Sequence, residues 1–146
     1  IYIYMWLYFY NKLNFEKYGK EYNLKILELV RERMKKLSEF NDLSLYFYEK
    51  PKIDKKVAEK FAGDSKRAHE IVDNFIKVYE SISNENWNIK DLDEISHSKL
   101  EEFSYKPKEA FMTMRYIVTG CESTPPLFDV FGLIGKGETI ERLKKF

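Results

Sequence analysis

The 146-residue sequence has one cysteine, Cys121, and two widely separated histidines, His69 and His97. An internal disulfide is thereby excluded, and no set of ligands with zinc spacing exists. A reducing cytoplasm is the expected compartment. Glycine and proline are scarce, at six and four residues, so the chain has few obligatory helix breaks and room for long helices. A surplus of one charge is also missing: 25 basic against 24 acidic residues leave a net charge of +1. Nucleic-acid-binding surfaces usually carry a basic surplus, so any such surface here must come from local clustering. The opening run, residues 1–10 (Ile-Tyr-Ile-Tyr-Met-Trp-Leu-Tyr-Phe-Tyr), is apolar but lacks a positive leader and is too short to cross a bilayer. It is expected to be neither signal peptide nor anchor, and no membrane association follows. Its alternation fits a strand and a buried helix equally well. A chain opening on isoleucine, with its most apolar segment at that end, reads as a fragment whose N-terminal partner covers that surface.

What is present argues for a folded helical chain, with 44% hydrophobic and 16% aromatic residues and enough length for a core. Asn23 is expected to cap a helix from Leu24 to about Phe40, with Leu24, Leu27, Val30, Met34 and Leu37 on one stripe. Arg31, Arg33, Lys35 and Lys36 fall mostly outside that stripe and form the most basic short stretch. Asp54 is placed to cap a helix over Lys55–Ala62. Asp64 or Ser65 opens another, with Ala68, Ile71, Phe75, Val78, Tyr79 and Ile82 on its inner face. A helix over roughly Lys90–Phe103 follows Trp87. The expected fold is all-α: about seven short helices in a compact bundle of two packed subdomains, residues 24–103 and 104–146, after an N-terminal joining segment, 1–23.

The last forty residues are the most tightly specified. Pro107 suits the first turn of a helix, because its missing N–H would have been unbonded there. Phe111, Met114, Ile117 and Val118 recur at helical spacing, and Gly120 stops the helix. Ser123 or Thr124 is expected to cap a further helix that starts with Pro125 and Pro126 and carries Leu127, Phe128, Phe131 and Ile134 as its apolar stripe. A last short helix starts near Glu138. Arg115 follows the core residue Met114, which would let its guanidinium point along the helix toward the Thr-Pro-Pro-Leu turn. Gly135-Lys136-Gly137 lacks the spacing and preceding strand of a phosphate-binding Walker loop.

The run TMRYIVTGCESTPPLFDVFGLIGKGETIERL, with LVRERMKKL upstream, LYFY (residues 45–48) and WNIKDL (residues 87–92), resembles the C-terminal anticodon-binding domain of bacterial-type glutamyl-tRNA synthetases. The likeness covers about Leu24 to Phe146. It implies an RNA-recognition domain of a glutamate–tRNA ligase, whose partners are the anticodon loop of tRNA(Glu) and the N-terminal catalytic domain of the same protein. It implies no DNA partner and a monomeric parent. ATP and Mg2+ belong to the catalytic domain, whose two nucleotide-binding signatures are absent here, so no catalytic residue or cofactor is assigned to this chain. The resemblance carries the anticodon-contacting positions onto Arg33, Arg115, Thr124, Pro125 and Leu127, with Phe128 as an adjacent stacking candidate. Pro126 stands where the family often has glycine, which stiffens the turn.

Single-stranded RNA is read by splaying bases out, stacking them on flat side chains and bonding their pairing edges. Glutamate and glutamine anticodons differ in the third base, cytosine against guanine. Cytosine offers O2 and N3 as acceptors, whereas guanine presents N1–H and N2–H donors. Arginine has donors only, so Arg33 should bond cytosine bidentately and meet guanine donor to donor. The resemblance likewise places arginine with the discriminating type of enzyme and glutamine with the tolerant type. Two other readings stay open: a helical protein-interaction module without RNA binding, which suits the neutral charge, and a non-discriminating synthetase domain, against which Arg33 argues.

Overall fold

A computed structural model describes residues 12–146, with side chains from Asn14 onward; the expectations for residues 1–10 lie outside the described residues. The chain divides into two units, residues 1–49 and 50–146. Among the described residues there are eight α-helices and no strand.

In the first unit, α1 runs over Lys12–Val30 and is broken once, at Gly19, where φ is +82° and ψ is 169°. Only glycine adopts that conformation without a steric penalty. The expected helix from Leu24 to Phe40 is therefore corrected at both ends. Helix starts twelve residues earlier than Asn23 suggested, and beyond Val30 the chain passes through short 3-10 turns at Arg31–Arg33 and Leu37–Glu39 before α2, Phe40–Ser44. The apolar stripe shifts with it: Phe15, Ile26, Val30 and Phe40 are buried, while Leu24 and Leu37 lie at the surface. Asn23 is no cap but a fully buried amide. Its Nδ2 donates to the Gly19 carbonyl at 2.6 Å, across the break, and its Oδ1 accepts from the Tyr48 hydroxyl at 2.5 Å. Tyr18 and Tyr22 donate to the carbonyls of Tyr48 and Phe47 at 2.9 and 2.6 Å. Buried polar groups without such partners each cost on the order of 1–3 kcal/mol, which makes this tyrosine-asparagine cluster a specifying core.

In the second unit the caps fall where the sequence puts them. Asp54 accepts from Lys56 N–H at 2.9 Å to open α3, Lys55–Ala62, and Asp64 accepts from Arg67 N–H at 2.8 Å to open α4, Ser65–Glu80. Asn88 caps α5, Ile89–Phe103, through Asp91 N–H at 2.9 Å. The remaining helices are α6, Pro107–Thr119; α7, Leu127–Ile134; and α8, Lys136–Lys144. Helix α4 is the central element, packed on α3, α6 and α8, and all six residues of its expected inner face are buried. Each fully buried aromatic or aliphatic side chain contributes on the order of 1.5–3 kcal/mol. Tyr79 buries its ring completely and shares a 2.9 Å hydrogen bond with Ser96 Oγ. Burial drives the Tyr79 hydroxyl pKa far up, and the Ser96 bond offsets only part of that. Trp87 Nε1 donates to the Phe131 carbonyl at 2.9 Å, joining the segment before α5 to α7. Lys136, in the Gly-Lys-Gly stretch, spends its ammonium on Ile82 O at 2.6 Å and Glu80 O at 3.3 Å. It satisfies carbonyls at the end of α4, where a cation is favoured.

Candidate nucleic-acid interface

The central feature is the exit of α6. Gly120 takes the left-handed conformation, φ +71°, and donates to the Tyr116 carbonyl at 2.7 Å. A side chain there would bring a Cβ to 2.8 Å from Pro51 Cβ, so glycine is required by both conformation and space. Thr119 Oγ1 donates back to Arg115 O at 2.7 Å and accepts from Cys121 N–H at 3.1 Å. From α8, the buried Arg142 sends Nη1 to the Val118 carbonyl at 2.9 Å and Nε to Glu138 at 3.0 Å. Lys50 Nζ stands 3.4 Å from both Glu138 and Glu141. Burial alone would raise the Glu138 carboxyl pKa, yet Arg142 and Lys50 together hold it below its ordinary 4.5. Burial works against the Lys50 ammonium too, and its two carboxylates more than compensate, raising its pKa. The end of α6 is thus fastened by backbone, hydroxyl and guanidinium at once.

Beyond this exit the proline corner differs from the expected cap. Neither Ser123 nor Thr124 caps α7, which starts at Leu127 with Pro126 in the capping position, and the prolines precede the helix instead of opening it. Thr124 Oγ1 donates to the Pro125 carbonyl at 2.7 Å, closing the corner on itself. A proline at Pro125 and another at Pro126 fix two successive φ angles, and this removes the conformational freedom that a glycine would give. Thr124, Pro125, Leu127 and Phe128 are all buried, whereas Glu122, Ser123 and Pro126 face solvent. The buried four build the corner, and Arg115 stands half-buried on the last turn of α6, where its own carbonyl accepts from Thr119 Oγ1. One arm of the Arg115 guanidinium reaches Met112 Sδ at 3.3 Å, one turn back along α6 and away from the expected direction. Long helical side chains lean toward the N-terminus.

Arg33 lies in the first unit, exposed on the 3-10 turn that follows α1. The next residues are pinned by Glu39, whose carboxylate accepts from the backbone N–H groups of Lys35 at 2.6 Å and Lys36 at 3.2 Å. Those two hydrogen bonds hold the Glu39 carboxyl below its ordinary pKa. Arg33 is therefore presented on an anchored turn, not on a helix face. Sequence reasoning missed Glu39, Arg142 and Lys50. The i,i+4 spacing of Glu138 and Arg142 was visible as a pair, but nothing local signalled that the arginine is buried.

Among the described residues, no group of three or more histidine, cysteine, aspartate or glutamate side chains could hold a metal ion, and no helix is long and apolar enough to cross a membrane.

The eight-helix arrangement places the chain in a known all-α class: it superposes with TM-score 0.77 on a crystal structure of a glutamate tRNA ligase from Elizabethkingia meningosepticum in complex with its amino acid. That match covers 92% of this chain and 27% of the other at 23% identity, and it is a likeness of fold. The family model described as anticodon binding domain matches residues 4–146, and the chain belongs to that family. Similar curated proteins include glutamate–tRNA ligase 2 of Caldicellulosiruptor saccharolyticus, 29% identical over 94% of this chain and 28% of the relative. Glutamate–tRNA ligase 1 of Fervidobacterium nodosum is 30% identical over 86% of this chain and 25% of the relative. The chain spans about a quarter of the length of these relatives.

Proposed function

We propose that this chain recognises the anticodon loop of a glutamate-type tRNA as the C-terminal part of a glutamate–tRNA ligase. The observation that carries the reading is a family match over nearly the whole chain combined with Arg115 on the last turn of α6, whose exit is fastened through Thr119, Gly120 and Arg142. Recognition of unstacked bases needs donors and rigid walls that do not rearrange on binding, and the fastened α6 exit has that character. Arg115 supplies donors at the corner, and Thr124, Pro125, Leu127 and Phe128 hold its shape. Arg33 reads the third base by its donor-only guanidinium, accepting cytosine and repelling guanine.

The ligase would attach glutamate to its tRNA using ATP and magnesium. Both belong, on the family likeness, to the catalytic portion, with which residues 1–23 would join. Residues 24–103 and 104–146 would act as two recognition subdomains, in a monomeric parent working in the cytoplasm. With a net charge of +1, few phosphates can be neutralised, and the affinity should fall only modestly with salt.

The test is a titration of the chain with a glutamate-type anticodon stem-loop and with its third-base cytosine-to-guanine variant. Wild type should prefer the cytosine form, and Arg33→Gln should lose about 1–3 kcal/mol of that preference. Equal binding ratios for wild type and variant would remove Arg33 from the mechanism. Absence of binding to either RNA would favour the protein-docking alternative.

A further inference from the structure

The side chains flanking the corner include an aromatic group that the family likeness does not assign. Phe128, on the first turn of α7, meets Phe111 of α6 edge to face, with ring centroids 5.4 Å apart and planes at 87°. His97 of α5 joins both rings, 5.1 Å from Phe111 and 6.3 Å from Phe128. The three differ in cover. Phe128 is buried and Phe111 is half-buried, whereas the His97 side chain is 54% exposed. The cluster thus grades from a buried ring, Phe128, to one that solvent reaches, His97. Arg115 lies one turn from Phe111, at i+4, on the same side of α6.

His97 is also held in a defined pose. Its Nδ1 faces two acceptors, the Asp93 carbonyl at 2.9 Å and the Asp93 carboxylate at 3.1 Å, so Nδ1 carries a proton. In the neutral imidazole this leaves Nε2 as an acceptor. The ring thereby offers apolar area, an oriented acceptor and little rotamer entropy to lose.

We propose that His97 and Phe111, floored by Phe128, form a stacking ledge for one unstacked base of the bound RNA loop, with Arg115 at its flank. The inference rests on the anticodon-recognition reading above and adds a contact to that site. Stacking on aromatic side chains is sequence-tolerant and does not depend on net charge, which suits a nearly neutral chain. A base bearing an exocyclic amine, cytosine or adenine, gains a hydrogen bond if that amine reaches Nε2.

The experiment uses the whole chain and a glutamate-type stem-loop carrying 2-aminopurine at each loop position in turn. Stacking on an aromatic group should quench one of these probes on binding. His97→Ala should relieve that quench and weaken binding by about fivefold or more. His97→Phe, which keeps a flat ring, should restore the quench. Phe111→Leu, which keeps apolar volume without a flat face, should lose it while its thermal midpoint stays within a few degrees of wild type. Wild-type quenching and affinity in both His97→Ala and Phe111→Leu, with Arg115→Ala still weakened, would overturn the ledge and leave anticodon recognition standing. Failure of the wild type to bind any labelled stem-loop would overturn both.

Discussion

Replacing Arg142 by methionine tests whether the α6 exit is held by the guanidinium that reaches it from α8. The side chain is 5% exposed, and its bonds include one of 2.9 Å to the Val118 carbonyl and one of 3.0 Å to Glu138. Methionine retains most of the apolar stem, so the loss is electrostatic and not a cavity. A hydrogen bond from a charged donor to a buried carbonyl is worth roughly 1.5–3 kcal/mol. The ion pair adds less, because Glu138 is one-third exposed and keeps Lys50 at 3.4 Å; about 0.5–1 kcal/mol is appropriate. The expected total is about 2–4 kcal/mol. Urea denaturation followed by circular dichroism should show a midpoint lower by roughly 1–2 M for a slope near 2 kcal/mol per molar. Arg142→Lys, with a point charge that cannot bridge both acceptors in the same way, should fall between. A midpoint for Arg142→Met that coincides with wild type would refute the account, since the carbonyl would then have found another donor at no cost.

Two more outcomes follow from the same region. Gly120→Ala places a Cβ 2.8 Å from Pro51 Cβ in a left-handed conformation, so it should cost roughly 2 kcal/mol or more, read as a depressed thermal midpoint. The lowered Glu138 pKa makes the Arg142 network pH-dependent. A depressed carboxyl contributes stability that is present above its unfolded value, near 4.5, and lost as pH falls through its lower folded value. Glu138→Gln should therefore flatten part of the stability drop as pH falls below about 4.5 in urea titrations; an unchanged slope would show that the pair is not coupled to folding.

The second unit was legible because its signals are local. Asp54 and Asp64 cap the helices they precede, Pro107 opens α6, Gly120 ends it, and the apolar period of α4 points at the core. The first unit was misread because one residue type served two purposes. Asn23 looks like a cap, yet its amide is buried against Tyr48, twenty-five residues away, and that pairing leaves no local trace. With the helix start misplaced, the stripe was drawn through Leu24 and Leu37, which face solvent, in place of Ile26 and Phe40. The corner was located correctly, but its prolines were read as the first turn of α7. The burial of Pro125 depends on tertiary packing, whereas Pro126 faces solvent. Arg33 was expected on a helix and stands on a turn, because the carboxylate that pins that turn, Glu39, acts through backbone N–H groups.

The reach of Lys136 back to Ile82 has a bearing on how the chain matures during synthesis. The terminal carbonyls of α4 wait for an ammonium made some fifty residues later, and Val118 waits for Arg142. At ribosomal elongation rates of roughly 5–20 residues per second, α4 and α6 would emerge several seconds before these partners. Until residues 136–142 emerge, the ends of α4 and α6 would thus lack these two latches, however well their helices had formed.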